Sequence, residues 1–176
     1  MKRFANFAAL FFVASMFIMS CKDDDNDVNT TSPNSIDTSF VTNAAYANLD
    51  EIDFAQLALT KSTHDSILGF AQHMVTEHTT ALSGLDSIAN QFSYTLPTTI
   101  DSAHAALKNQ VIGLSGIGFD STYINSQIAD HINAINLFQN EVNLGNNPTI
   151  KGYASRMLPH LQEHLARAQS VKSHLE

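Results

Sequence analysis

Apolar residues recur every three or four positions along almost the whole chain after residue 38, and this spacing constrains the fold more than any other feature. A period near 3.6 predicts amphipathic α-helices, whereas half-buried strands would alternate apolar and polar residues. Four long segments carry the pattern, and short breaks separate the first from the second and the third from the fourth. Each helix must bury its apolar stripe against the others. The sequence therefore predicts an all-α fold.

A longer connection separates the second and third long helices. It covers residues 94–118 and is broken by Pro97 and by glycines at positions 113, 116 and 118. Residues 101–114 inside it predict a short helix of their own. Short outer loops make antiparallel helix pairs, and one long connection is typical of ferritin-like bundles. We predict a ferritin-like four-helix bundle over residues 39–176, with a crossover connection containing a short helix, whose direction the sequence leaves open.

Residues that favour helix ends mark further boundaries. Asp120 is expected to cap the third long helix, and Asn147 to cap the fourth, with Pro148 at its first position. Pro159 falls inside the fourth helix, where it removes one backbone hydrogen bond. The stripe of the first helix is assigned to Val41, Ala45, Asn48, Ile52, Ala55 and Leu59.

The first residues of the chain predict where the protein resides. Lys2 and Arg3 precede an apolar run over residues 4–19, which is short for a membrane span and typical of a secretory signal. Cys21, the only cysteine, follows the small residue Ser20, as in bacterial lipoprotein signals whose cysteine is acylated and becomes the new N-terminus. We predict a signal peptide over residues 1–20 and lipid attachment, such as palmitate, at Cys21. An ordinary signal peptide or a lone membrane anchor is the alternative.

The segment that follows Cys21 is polar and acidic. Residues 21–38 are rich in Asp, Asn, Thr and Ser, a composition that predicts a disordered tether. The acidic run at 22–27 also resembles a surface-export signal of some bacterial lipoproteins. Because several acyl chains on one residue anchor a protein stably, we predict an outer-membrane lipoprotein of the cell envelope that faces either the periplasm or the outside.

The charge balance excludes one class of partner. The chain carries 9 Lys and Arg against 17 Asp and Glu, and removing the signal takes away two of the cations. No basic patch remains, so nucleic acid is a poor partner. The glycines form no phosphate-binding loop, and no serine or threonine lies in a nucleophile motif. We therefore assign no catalytic residue and favour a role that is not enzymatic.

Three histidines lie within the apolar stripes of three different helices. His78, His131 and His164 all fall near the middle of the predicted bundle, and Glu51 does so in the first helix. Bundles build metal sites from such facing side chains. These four residues predict a site for one transition-metal ion, with His160, one turn before His164, as an accessory ligand.

A structural role is the alternative for the same histidines. Core histidines are often hydrogen-bonded to polar neighbours, here Asn48, Gln127 or Tyr123, and they titrate close to neutral pH. Met74 and Met157 could add thioether ligands for copper, although methionine at a stripe position usually fills the core.

Several motifs resemble those of a known family. They are FVTNAA at 40–45, FAQHMVTEH at 70–78, ADH at 129–131 and LPHLQEHL at 158–165. Over about residues 38–172 the chain resembles the ferritin-like outer-membrane-protein group named domain of unknown function 4142. The resemblance implies an exported ferritin-like bundle of unsettled biochemical role. Ferritin-type di-iron sites need Glu-x-x-His on two helices, which this chain lacks, so zinc or copper fits better than di-iron.

Two functions remain open on these grounds. The first is a lipid-anchored helical domain that acts as a binding or stress-related interaction module for an unidentified protein or small molecule. The second is a metal-binding or metal-dependent redox protein. The distances between the candidate ligand atoms distinguish the two functions. Ligand atoms around one ion must lie within about 4–5 Å of one another, because metal–nitrogen bonds are near 2.1 Å.

Overall fold

A computed structural model of the protein describes residues 31–175. Within that range the secondary structure consists of helices, so the all-α bundle with a short helix in its connection is confirmed. No helix of this range combines the length and the apolar character needed to cross a bilayer. The predicted signal peptide at 1–20, Cys21 and the tether up to residue 30 lie outside the described residues. The helices are α1 (Ser35–Lys61), α2 (Asp65–Gln91), α3 (Ser102–Val111), α4 (Gly116–Leu144) and α5 (Pro148–Ser173).

The four long helices form a ring in which α1 packs against α2 and α4, and α5 packs against α4 and α2. At one end, the Asp37 carboxylate at the start of α1 accepts a hydrogen bond from the backbone N–H of Asn146, just after α4, at 3.1 Å. At the other end, Lys61 donates to the carbonyl of Leu114, just before α4, at 3.0 Å. Helix α4 therefore runs antiparallel to α1 and parallel to α2. The crossover spans the length of the bundle, as in ferritin-like topologies.

Helix α1 begins at Ser35, earlier than the predicted domain boundary at residue 39. The side chain of Asn34 accepts hydrogen bonds from the backbone N–H groups of Ile36 and Asp37, at 2.8 and 3.0 Å. Asp37 in turn accepts from the backbone N–H of Asn34 at 2.6 Å. This capping box makes a helical turn from polar residues, so residues 35–38 belong to the bundle and not to a disordered tether.

The other predicted helix starts are correct for α5 and wrong for α4. Asn147 caps α5 through hydrogen bonds to two backbone N–H groups, and Pro148 is the first helical residue. Helix α4 begins at Gly116 after Ser115, whereas Asp120, the expected cap, is buried one turn inside the helix. The apolar spacing does not reach the first turn of α4, which is exposed.

Two apolar clusters fill the bundle, one towards each end. Phe40, Leu85 and Phe138 belong to the first, and Phe54 and Phe70 belong to the second. Along every long helix, the buried residues between the two clusters are polar. Burying polar groups is unfavourable unless they find partners, so this layer is where a function is expected. Its members are Asn48, Asp50 and Glu51 on α1, His78 on α2, Gln127 and His131 on α4, and His164 on α5.

The turn between α4 and α5 depends on a glycine. A Cβ atom at Gly145 would overlap the Glu141 carboxylate and lie 2.6 Å from the Glu141 carbonyl oxygen. We expect Gly145→Ala to lower the free energy of unfolding by about 1–3 kcal/mol through this crowding, as measured by urea unfolding. Gly69→Ala in α2 is the matched control, because a Cβ there meets nothing within 4 Å. It should stabilise the helix by up to about 1 kcal/mol, and equal effects of the two substitutions would contradict the crowding.

Candidate metal centre

Histidines from three helices meet in the polar layer. His78, His131 and His164 each offer one ring nitrogen, and these three atoms all lie within 4.8 Å of one another. Their ring centroids are 5.3–5.6 Å apart. All three side chains are buried, with 5%, 1% and 3% of their surface exposed. The structure thus brings together the three histidines that the apolar stripes had suggested, at a separation within the expected range.

Hydrogen bonds orient two of these rings. Nδ1 of His78 lies 3.0 Å from Oδ1 of Asn48, whose Nδ2 donates to the carbonyl of Ala44 at 2.7 Å. Because an amide oxygen only accepts, His78 carries its proton on Nδ1. Nδ1 of His131 likewise donates to the carbonyl of Gln127 at 2.8 Å. In both neutral rings, Nε2 therefore bears a free lone pair.

The nitrogen atoms that remain have no partner. Nε2 of His78, Nε2 of His131 and Nδ1 of His164 are buried and make no hydrogen bond with any described residue. Leaving a buried polar atom unsatisfied costs about 1–3 kcal/mol. A histidine that binds a metal usually donates a hydrogen bond to a protein acceptor from one ring nitrogen and leaves the other nitrogen free for the ion. The three atoms form a donor set that a metal ion would satisfy.

Burial keeps these imidazoles neutral at physiological pH. Burial, reinforced by the neighbouring imidazoles, lowers the pKa of His78 well below its usual value and that of His164 to about 3. Burial also lowers the pKa of His131 to about 4, against the hydrogen bond to Gln127, which raises it. Neutral imidazole is the form that binds metals, so no proton has to leave before an ion binds at pH 7.

Glu51 lies beside the three histidines but on the outer side of His131. Its Oε1 is 3.6 Å from Nδ1 of His131, the nitrogen that donates to Gln127. Burial, followed by repulsion from Asp130, raises the pKa of Glu51 well above its usual value. Its carboxylate is not part of the converging group. This position suits a carboxylate that orients a ligand more than a ligand itself.

The predicted accessory residue His160 lies near the surface. Its side chain is 51% exposed, and its Nδ1 is 3.9 Å from Oε2 of Glu77. Of the two methionines, Met74 is fully buried in the second apolar cluster, whereas Met157 adjoins the histidines. A narrow cavity between α2 and α5 connects these groups, and its lining includes His78, Met157, His160 and His164.

A second, larger cavity lies on the other side of His78 and His131. It has a volume of about 510 Å³ and is lined mainly by residues of α1, α3 and α4. No local sequence pattern marks this cavity, because it forms where the crossover helix α3 covers the bundle. Its acidic lining residues are Asp50, Glu51, Asp101 and Asp130.

The chain is similar to a protein family and to solved structures. A family model described as "Domain of unknown function (DUF4142)" matches residues 24–171. The search among curated proteins gave no match. A DUF305 fragment from Deinococcus radiodurans superposes with a TM-score of 0.72 at 12% identity, covering 80% of this chain and 97% of the fragment.

Two structures of CopM are also similar. Its Cu(II)-bound form has a TM-score of 0.66 at 17% identity and covers 80% of this chain and 97% of CopM. Its Cu(I)-bound form has a TM-score of 0.65 at 18% identity, with coverages of 78% and 96%. At these identities the likeness shows a shared helical-bundle fold.

Proposed function

The chain belongs to the family described as domain of unknown function (DUF4142), and we propose that its bundle binds one transition-metal ion through His78, His131 and His164. Two observations carry the proposal. Each of the three buried histidines offers a ring nitrogen within 4.8 Å of those of the other two, and each has a buried ring nitrogen without a partner among the described residues. Bonds of 2.0–2.1 Å place the nitrogens of a tetrahedral site about 3.4 Å apart. Small rotations of the three side chains would close this difference.

The donor set favours copper over the alternatives. Imidazole ligands suit copper and zinc, whereas a hard ion prefers oxygen. A di-iron site of the ferritin type is disfavoured, because Glu-x-x-His is absent and Glu51 stands behind His131. Met157 borders the same narrow cavity as His78, and a thioether favours Cu(I). The copper-bound forms of CopM, a protein of similar fold, support the same choice.

The identity of the metal is tested by titrating the metal-free protein, without affinity histidines, with Cu(I) and Zn(II) against a competing chelator. We expect one ion per chain and tighter binding of Cu(I). Met157→Leu should weaken Cu(I) binding about tenfold and leave Zn(II) binding unchanged. A tenfold change corresponds to the loss of one weak ligand worth about 1.4 kcal/mol. Met74→Leu, a similar change in the core cluster, is the control. Equal losses in the two variants would contradict the role of Met157.

Asn48 allows a test of the ring orientation. Asn48→Ala removes the acceptor of the Nδ1–H group of His78, and loss of such an outer partner lowers metal affinity about 10–100-fold. Asn43→Ala, on the exposed side of the same helix, is the matched control and should leave the affinity unchanged. Competition titrations of the two variants measure the difference. Unchanged affinity in Asn48→Ala would mean that the free lone pair of His78 does not bind the ion.

Lipid attachment at Cys21 and an outer-membrane location are also proposed. The support comes from the sequence of the first residues, a charged start, an apolar run and a small residue before the single cysteine. Intact-mass measurement of the mature protein from a bacterial host tests the proposal. It predicts an acylated chain that begins at Cys21, and an unmodified cysteine would contradict it.

A further inference from the structure

We propose that the cavity beneath α3 binds a small organic cation, an amine with an apolar stem, independently of the metal. The cavity measures about 510 Å³, within the range of about 300–1,000 Å³ that is usual for small-molecule sites. A single ion needs far less space. The size therefore points to a molecule of several carbon atoms.

The charge of the lining selects a cation. Four carboxylates face the cavity, and no lysine or arginine of residues 31–175 lines it. None of the four forms an ion pair with a lysine or arginine of the described residues. Burial, and then the charge of Asp101, raises the pKa of Asp50 to about 6, although a hydrogen bond from Asp101 opposes the shift. Such mutual repulsion would be relieved by a positive charge bound between the carboxylates.

Buried polar atoms without partners provide a second, independent observation. Glu51 and His104 line the cavity and are 5% and 8% exposed. Oε2 of Glu51 and Nε2 of His104 make no hydrogen bond with any described residue, and neither does the buried Oδ2 of Asp130. An ammonium group carries three donors, two of which can satisfy the unpartnered carboxylate oxygens of Glu51 and Asp130.

Much of the remaining wall of the cavity is apolar, and its other polar members are Asn43, Asn48, Asn133, His78 and His131. These apolar residues can contact the hydrocarbon stem of a ligand whose charged end lies against the carboxylates of the same cavity. A bare metal ion would leave this wall unused, and within residues 31–175 the ligand atoms of the cavity carboxylates do not converge as those of the three histidines do. An amphipathic organic cation therefore fits better than a second metal. The apolar wall includes Tyr46, Leu107, Ala134, Leu137, Phe138 and Leu161.

The test is calorimetric titration of the full-length, metal-free protein with cadaverine, pentylamine and pentanol. We expect saturable one-to-one binding of both amines and binding at least about tenfold weaker for the neutral alcohol, because a charged hydrogen-bonded group is lost. Asp130→Asn and Asp50→Asn should each weaken amine binding about tenfold. Asp86→Asn, an exposed change on α2 outside the cavity, should have no effect. Circular dichroism establishes that each variant is folded.

A further variant separates this site from the metal centre. His164 does not line the large cavity, so His164→Leu should lose metal binding and keep amine binding. Asp130→Asn should do the reverse. The proposal is wrong if no amine binds at millimolar concentration, if pentanol binds as well as pentylamine, or if the aspartate substitutions leave amine binding unchanged. Calcium or magnesium binding to these carboxylates in place of cadaverine would also overturn it.

Discussion

Replacing His131 by leucine is expected to abolish stoichiometric metal binding and to leave the bundle folded. His131 supplies one of three converging nitrogens, and the loss of a direct ligand should weaken binding by more than the roughly 10–100-fold caused by losing an outer partner. The fold should survive, because leucine is apolar and fits a buried position. It removes Nε2, which has no partner in the metal-free protein, at the cost of the hydrogen bond from Nδ1 to the carbonyl of Gln127.

Elemental analysis measures this effect directly. The parent and the variant are purified without chelator and without affinity histidines, and the metal content per chain is compared. His174→Leu is the matched control, since His174 is exposed near the end of α5. The control should keep the parent's metal content. A folded His131→Leu variant that retains a full equivalent of metal would show that the ion lies elsewhere.

The second large effect is the acid sensitivity of the metal-free protein. Burial holds the pKa of His131 at about 4 and that of His164 at about 3 in the folded state, against about 6.5 in the unfolded chain. A histidine whose pKa is lower in the folded state than in the unfolded state stabilises the fold fully above its unfolded pKa. This contribution to the free energy of unfolding is lost as the pH falls through the folded pKa. The free energy of unfolding should therefore decline between about pH 6.5 and pH 3, by on the order of 3–5 kcal/mol for each histidine.

Buried carboxylates titrate in the opposite sense. The pKa of Glu141 is raised to about 8 by burial, and then by the neighbouring carboxylate of Asp37. This group stabilises the fold most below its unfolded pKa and loses that contribution as the pH rises through about 8. The readout is therefore the difference between the parent and a variant in which His78, His131 and His164 are all leucine, from urea unfolding in chelator across this pH range. Parallel curves for the two proteins would contradict the assignment to histidine.

Much of the fold could be predicted from local features. Apolar spacing gives the four long helices, and Asn147 followed by Pro148 gives the start of α5. The prediction of the buried stripe of α1 is less accurate. Ile52 and Leu59 are only half-buried, whereas Phe40 and Phe54, which the prediction left out, are buried in the two clusters. Neighbouring faces of a helix rich in alanine and aromatic residues look alike in sequence, and packing decides between them.

The direction of the crossover depends on contacts between residues that are distant in sequence. Asp37 meets the turn after α4, and Lys61 meets the end of the crossover. These hydrogen bonds have no local signature. The polar first turn of α1 was missed for a related reason, because its capping box has the composition of a linker.

The candidate site could be predicted in part. His78, His131 and His164 each interrupt an apolar stripe at a similar height, so their convergence follows from the helix pairing. The position of Glu51 does not follow from the helix pairing. The ring of His131 turns its Nδ1 towards Gln127 and Glu51, and its Nε2 away from them. That orientation is set by a backbone carbonyl. The acidic cavity could not be foreseen, since it exists only once α3 docks.

X-ray absorption spectroscopy of the copper-loaded protein tests the central claim most directly, because it reports the atoms bound to the ion. Coordination by His78, His131 and His164 predicts a first shell with three nitrogen atoms at about 2.0 Å, together with the outer-ring scattering of imidazole. In the Cu(I) form, a sulfur atom from Met157 is expected in addition. The same measurement on the variant with all three histidines replaced should lose this signal. A shell of oxygen atoms without imidazole scattering in the parent would contradict the account and place the ion among the carboxylates.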